Sequence, residues 1–394
     1  MTTTVPLQPP SRVLLGPGPS NVHPHVLQAM SIPLIGHLDP AFLRIMDETK
    51  RLLQFVFQTR NDLTFPVSGT GSAGMEACLV NLLEPGDEAV VCINGVFGAR
   101  MADIVERCGA TLVTVDAPWG RIIEPAAVTA ALKRCTHPKL LAIVHAETST
   151  GVWQPLEEIG ALVRAADALF VVDTVTSLGG CPVRVDDWGI DACYSGTQKC
   201  LSCPPGLAPL TFGQRATAAL QQRKTKVRSW YLDLSMIRKY WGAERVYHHT
   251  APITLNYALY EALRLIQEEG LEARWARHQN NHQALKAGLD AIGLTIASQA
   301  DHQLWTLNSV RIPDGVDDAH VRRTLLEEFN IEIGGGLGPL KGKTWRIGLM
   351  GESSTAANVL FVLSALERVL ARLGHAAPAG AAVAAAERVY AGQS

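Results

Sequence analysis

Ala168-Leu169-Phe170-Val171-Val172-Asp173 is an unbroken apolar run that stops on a carboxylate. One crossover later, Tyr194-Ser195-Gly196-Thr197-Gln198-Lys199 leads from a second apolar segment into a loop of small residues that ends on a lysine. Continuous apolar runs of ~4–8 residues mark strands buried on both faces. Outward from this pair, similar runs recur at Leu63–Val67, Ala89–Ile93, Thr111–Val115 and Leu140–His145. Helical stretches are predicted between most of them, at Gly74–Leu83, Gly98–Cys108, Glu124–Arg134 and Leu156–Ala166. A further helix is predicted over Ala41–Gln58, where Asp39 suits the cap and Pro40 the first helical position. Short buried strands alternating with helices predict an α/β protein with a mostly parallel sheet covered on both faces.

After about residue 214 the pattern changes. Asn256–Glu269 and Leu271–Leu289 read as two long helices divided by Gly270. Strand-like Trp305–Ile312, Ile331–Ile333 and Trp345–Leu349 then alternate with helical Asp317–Phe329 and Ala356–Leu373, which predicts a smaller C-terminal α+β domain. The reading is an N-terminal arm (1–21), a large domain (22–269), a small domain (270–375) and an Ala-rich tail (376–394). The tail is open between an extension of the last helix and disorder, and takes no function.

The chain has 394 residues and a net charge of −2, with 47% hydrophobic and 18% charged residues. That composition excludes a disordered chain. It lacks the basic surplus that nucleic acid or an anionic membrane surface would call for. No apolar run approaches the ~20 residues of a membrane helix, and Met1 to Ser20 lacks the basic-then-apolar order of a signal peptide. Eight scattered cysteines, with Cys200-x-x-Cys203 unmatched by a second pair, read as free thiols of a reducing compartment, and hence a cytoplasmic protein. A small-molecule site is left as the open possibility.

Four features fall at strand ends or in the loops after them, where open α/β sheets bind ligands. Ser68-Gly69-Thr70-Gly71-Ser72-Ala73-Gly74 lets backbone approach an anion at a helix N-terminus. Its glycine spacing also matches a dinucleotide fingerprint, but the next strand ends on Asn94 instead of an acid, so a phosphate cup is the reading. Asp173 is costly to bury without a partner. Lys199, taken alone, reads as a solvated loop lysine; desolvated, it becomes a nucleophilic amine. Arg346, in Thr344-Trp345-Arg346-Ile347-Gly348, is open between a surface arginine and a fork for a carboxylate. Phosphate cup, strand-end acid and loop lysine together are the three parts that hold pyridoxal phosphate.

With these residues in place the chain resembles the class V pyridoxal-phosphate aminotransferases of fold type I, in particular the alanine–glyoxylate and serine–glyoxylate group. The resemblance runs from Leu14 to about Leu373. It rests on Leu15-Gly16-Pro17-Gly18-Pro19-Ser20-Asn21, Val67-Ser68-Gly69-Thr70-Gly71, Val172-Asp173-Thr174-Val175-Thr176-Ser177-Leu178-Gly179-Gly180, the Lys199 loop and Tyr247-His248-His249-Thr250. It implies a large domain built on a mostly parallel seven-stranded sheet and a smaller C-terminal α+β domain. By the same resemblance Lys199 carries the cofactor and moves the substrate proton, and Asp173 pairs with the ring nitrogen. Val175 and Phe97 pack on the two ring faces, Thr148 reaches the ring oxygen, and Gly71, Ser72 and Gln198 hold the phosphate. Tyr247 and Thr250 reach the phosphate of a neighbouring subunit, which implies a homodimer with shared sites. Arg346 binds the substrate carboxylate, and Gly18 and Gly36 line the substrate space. Phe97 stands where some relatives have Trp, and Ser72 where some have His.

The implied reaction is a ping-pong transamination from alanine or serine to glyoxylate, through pyridoxamine phosphate, giving glycine and pyruvate or hydroxypyruvate. A cysteine desulfurase or another class V lyase is the rival within the cofactor class. Against a desulfurase, Gln198 stands before the lysine where His is expected. An NAD-dependent dehydrogenase is the rival outside it, and leaves Asp173, Lys199 and Arg346 without a task. The adjacent His248 and His249 have no third residue at metal-ligand spacing, so no metal is expected.

Overall fold

In the computed structural model, which describes residues 6–375 and 377–392, seven strands form the central sheet. They are β1 (Leu63–Ser68), β2 (Glu88–Ile93), β3 (Thr111–Asp116), β4 (Pro138–Val144), β5 (Leu169–Asp173), β6 (Ala192–Tyr194) and β7 (Leu207–Phe212). Their order is β1-β7-β6-β5-β4-β2-β3. The five strands β2 to β6 pair in parallel, whereas β7 is antiparallel to both β1 and β6. The mostly parallel sheet of the resemblance is thus present.

The apolar runs supplied six of these strands and missed β7. Pro209 sits in its middle, opposite Pro66 of the outermost strand. The carbonyl of Pro209 accepts from Ser195 N at 2.8 Å, so its ring nitrogen also faces β6, just past the end of that strand at Tyr194. Pro66 presents its nitrogen to the outer edge. Pro66 therefore costs no ladder bond, and Pro209 forfeits only the bond reciprocal to Ser195 N, where β6 has already ended.

Side chains alternate between the two faces of the sheet. Leu140, Ala142 and Val144 of β4, with Leu169 and Val171 of β5, pack with helices α2 (Gly71–Leu82) and α3 (Val96–Arg107). Leu141, Ile143, Phe170 and Val172 face the opposite core, with Leu52, Leu53 and Val56 of α1 (Pro40–Phe57). The α1 start is as expected: Asp39 caps Ala41 N at 2.7 Å and Pro40 takes the first helical position.

The C-terminal part is a second layer with its own core. An antiparallel sheet of β8 (Leu307–Arg311), β9 (Gly334–Gly335) and β10 (Thr344–Gly348) packs through Val310, Trp345 and Ile347 against α4 (Leu271–Ala291) and α5 (Ala356–Arg372). The arm belongs to this layer as well. Val13–Leu14 pairs in parallel with Ile331–Glu332, and Leu15 is buried in the same core. Most of the Ala-rich tail is neither an extension of the last helix nor featureless: Ala381–Tyr390 is a separate helix, α6, with Ala382 and Ala386 buried. Residues 1–5 of the arm and residues 376 and 393–394 of the tail lie outside the described residues. Among the described residues no helix is long and apolar enough to cross a membrane.

Close approach of α4, α5 and α6 needs a glycine. A Cβ on Gly288 would lie 2.4 Å from Leu363 Cδ1 and 2.8 Å from the carbonyl of Ala382. Helix propensity alone favours Ala there by about 1 kcal/mol, but overpacking costs about 1–3 kcal/mol. Gly288→Ala is expected to lower the urea midpoint; a raised midpoint would show that the three helices are not held at this spacing.

Candidate active site

Strand parity decides where the first functional group points. Asp173 continues the Leu169, Val171 series, so it emerges on the α2–α3 face, and Tyr194 lies opposite it in register on β6. Tyr194 donates its hydroxyl to Asp173 Oδ2 at 2.7 Å and Val175 N donates to Oδ1 at 2.8 Å. Burial outweighs these bonds and pushes the carboxyl up to about 6. Lys199 and Arg100 act on it in the opposite sense.

Lys199 follows β6 through the Ser195–Gln198 loop and is buried. The N-terminal arm is laid over it. Ser20 N donates to the Gln198 carbonyl at 2.9 Å and Ser20 Oγ to the Lys199 carbonyl at 2.8 Å, while Nζ of Lys199 donates to the Pro17 carbonyl. Gly18 makes this possible: its φ is +101°, and a Cβ would lie 2.6 Å from Nζ. Burial brings the ammonium down to about 8, with Arg346 adding in the same sense and Cys200 and Asp173 opposing.

Facing them is the glycine-rich turn. Helix α2 begins at Gly71, and Thr70 makes no side-chain cap bond, so the first N–H groups are open to an anion. A Cβ on Gly71 would meet Val175 Cγ2 at 3.2 Å and Gly196 Cα at 3.5 Å, which joins the turn to both the Asp173 and Lys199 loops. Ser72 Oγ accepts from Arg100 Nη1 at 3.2 Å. Gln198 Oε1 is buried without a hydrogen-bond partner, an unused capacity of a kind proteins rarely leave unfilled.

A wall closes the site. Phe97 lies in the first turn of α3, with the Arg100 guanidinium 5.0 Å from its ring centre. Its backbone N–H donates to Glu147 Oε2 at 3.1 Å, and Ser149 donates to Oε1 through N at 3.0 Å and Oγ at 2.5 Å. Thr148 Oγ1 lies 2.5 Å from Thr176 Oγ1. Arg346 on β10 donates Nε to the Gly335 carbonyl at 2.7 Å and Nη1 to that of Thr148 at 3.4 Å. The structure thus brings Lys199, Asp173, Gly71, Ser72, Phe97, Thr148, Val175, Gln198, Arg346 and Gly18 to one place. Glu147 was missed; the only available signal was an acid inside the short polar run after β4.

Gly36, Tyr247 and Thr250 lie elsewhere, at an exposed place. Tyr247 is 56% exposed and its ring is 5.3 Å from that of His37, next to Gly36. Ile32, Leu34, Leu38, Trp230 and Tyr231 are exposed large apolar residues of the neighbouring segments. His249 links this place to the glycine-rich turn, its Nε2 2.7 Å from Ser68 Oγ, and His248 and His249 face each other at 2.8 Å.

The family model for class V aminotransferases matches residues 13–347. The (S)-ureidoglycine–glyoxylate transaminase of Bacillus subtilis is 44% identical over 97% of this chain and 96% of its own length. The solved alanine–glyoxylate aminotransferase of Nostoc sp. superposes with a TM-score of 0.92 at 54% identity, covering 94% of this chain and 98% of its own. The rat alanine–glyoxylate aminotransferase is 44% identical over 93% of this chain and 89% of its own. The buried lysine, the strand-end acid, the open helix N-terminus and the orphaned Gln198 fit the amine, ring-nitrogen and phosphate needs of pyridoxal phosphate. The chain belongs to the class V aminotransferases, which depend on that cofactor.

Proposed function

We propose that this aminotransferase moves an amino group from a small amino acid, alanine or serine, to glyoxylate. The observation that carries the reading is Arg346, a buried guanidinium that makes no ion pair among the described residues and acts on the charge of Lys199. Relatives whose names pair glyoxylate with alanine support the acceptor and the first donor. The Bacillus subtilis relative supports a second reading, with (S)-ureidoglycine as the donor.

Pyridoxal phosphate supplies a sink for the electron pair left when the donor's α-carbon loses its proton. Lys199 Nζ would hold the cofactor, and its free amine would take and return the donor's α-proton. Asp173, ionised, holds a proton at the ring nitrogen. Gly71, Ser72 and Gln198 bind the phosphate, Val175 and Phe97 orient the ring and exclude water, and Thr148 holds the ring oxygen. Arg346 orients the substrate carboxylate, and Gly18 lines the substrate space above Lys199. A homodimer completes the site, with Tyr247 and Thr250 reaching the phosphate of the neighbouring protomer and Gly36 lining its substrate space. The exposed apolar residues beside Tyr247 support that interface.

Wild-type protein mixed with pyridoxal phosphate is expected to develop a yellow absorption band and to convert glyoxylate to glycine. Lys199→Ala should lose the band and at least ~10³-fold of the rate. Retained turnover would remove Lys199 from the chemistry, and a panel of alanine, serine and ureidoglycine decides the donor.

Capture of the cofactor by the free protein needs the unprotonated amine. With Lys199 at about 8 instead of the usual 10.5, half the amine is free at that pH, ~100-fold more than for an ordinary lysine. The capture rate, followed by stopped-flow absorbance, should therefore rise with pH and level off above about 8. A rate still climbing tenfold per unit at pH 9 would place the lysine in water.

A further inference from the structure

Arg346 is buried, and its two hydrogen bonds go to backbone carbonyls, those of Gly335 and Thr148. Among the described residues it makes no ion pair. A buried cation needs a compensating charge nearby. Glu147 supplies it: its charge acts on the guanidinium in the sense that offsets burial. It is also the residue next to Thr148, whose carbonyl Arg346 contacts. Yet Glu147 does not fill the arginine's fork, because its own oxygens are taken by Phe97 N, Ser149 N and Ser149 Oγ. Gly95 leaves the room for this, since a Cβ there would lie 2.4 Å from Glu147 Cδ.

We propose that Glu147 is a positioning residue for carboxylate recognition: locked by Phe97 and Ser149, it leaves the Arg346 fork open, and its own charge limits how tightly the fork grips an incoming carboxylate. The inference rests on Arg346 as the carboxylate-binding group. Such a limit suits an enzyme whose one site must admit an amino acid, release a keto acid and admit a second keto acid in each cycle. The other charges facing this place are Asp173, which acts on Glu147, and Lys199, which feels Arg346; Arg100 acts on Asp173.

The test is the inhibition constant of acetate, a carboxylate without an amino group, competing with alanine on the holoenzyme at pH 8.5. Glu147→Gln keeps the size and removes the charge, so acetate should bind roughly tenfold tighter, with KM and kcat both lowered because product leaves more slowly. Glu147→Asp keeps the charge and should stay within about threefold of wild type. Unchanged or weaker acetate binding in Glu147→Gln overturns the proposal, since a purely structural role has no means of tightening it. Should Glu147→Gln not fold, the wild-type constant is read against pH. It should rise several-fold from pH 6 to 8.5 as Glu147, held near 7 by burial, gains its charge; a flat profile overturns the proposal. Arg346→Ala separates the two layers: if acetate competes equally well there, the reading of Arg346 fails, and otherwise only that of Glu147 is at stake.

Discussion

Desolvation of charge is the constraint on which the site depends. Asp173, Glu147, Lys199 and Arg346 are all buried within one place, and burial is the leading cause of every pKa displacement among them. Each group is moved toward neutrality, so the lysine becomes a usable amine and the acids become groups that titrate near physiological pH. The surrounding hydrogen bonds do not cancel this. They fix the orientation of each group: Tyr194 and Val175 on Asp173, Phe97 and Ser149 on Glu147, Pro17 on Lys199.

The framework exists to hold those groups at one level. Parallel strands bring their carboxyl ends to one edge, and the period of two sends Asp173 and Tyr194 to the same face. Helices α2 and α3 then offer their N-termini to that edge. The second layer adds Arg346 from a different sheet, so the group proposed to bind the substrate carboxylate and the lysine come from two separate cores.

Much of this was legible in one dimension. Six strands were short apolar runs, and Asp173, ending one of them, stood out by its cost. The strand Leu207–Phe212 was missed although Pro209 and Thr211 break its apolar pattern no more than Pro66 and Thr64 break Leu63–Ser68; what admits Pro209 is a pairing that no sequence displays. Glu147 was hidden because Glu147-Thr148-Ser149-Thr150 reads as a polar loop, though all four residues are buried. The tail helix was hidden because alanine carries no amphipathic signal, while its smallness is what lets Ala382 and Ala386 sit against α4. Gly36, Tyr247 and Thr250 came from resemblance alone, and lie at an exposed place where one chain gives them little to touch.

The arm that crosses Lys199 has a consequence for how the protein is made. Arg12 bonds to Asn330, a partner 318 positions later, and the adjoining Val13–Leu14 strand closes on Ile331–Glu332. At the usual ~5–20 residues per second, the ribosome takes roughly a quarter of a minute to a minute to deliver that partner. The arm, made long before its partner, is therefore among the last segments to dock. Until it does, Leu15 lacks its core and Lys199 lacks its cover. The newborn large domain waits with an unroofed lysine, and assembly of the site is a late, long-range closure of the kind that slows folding and invites chaperones.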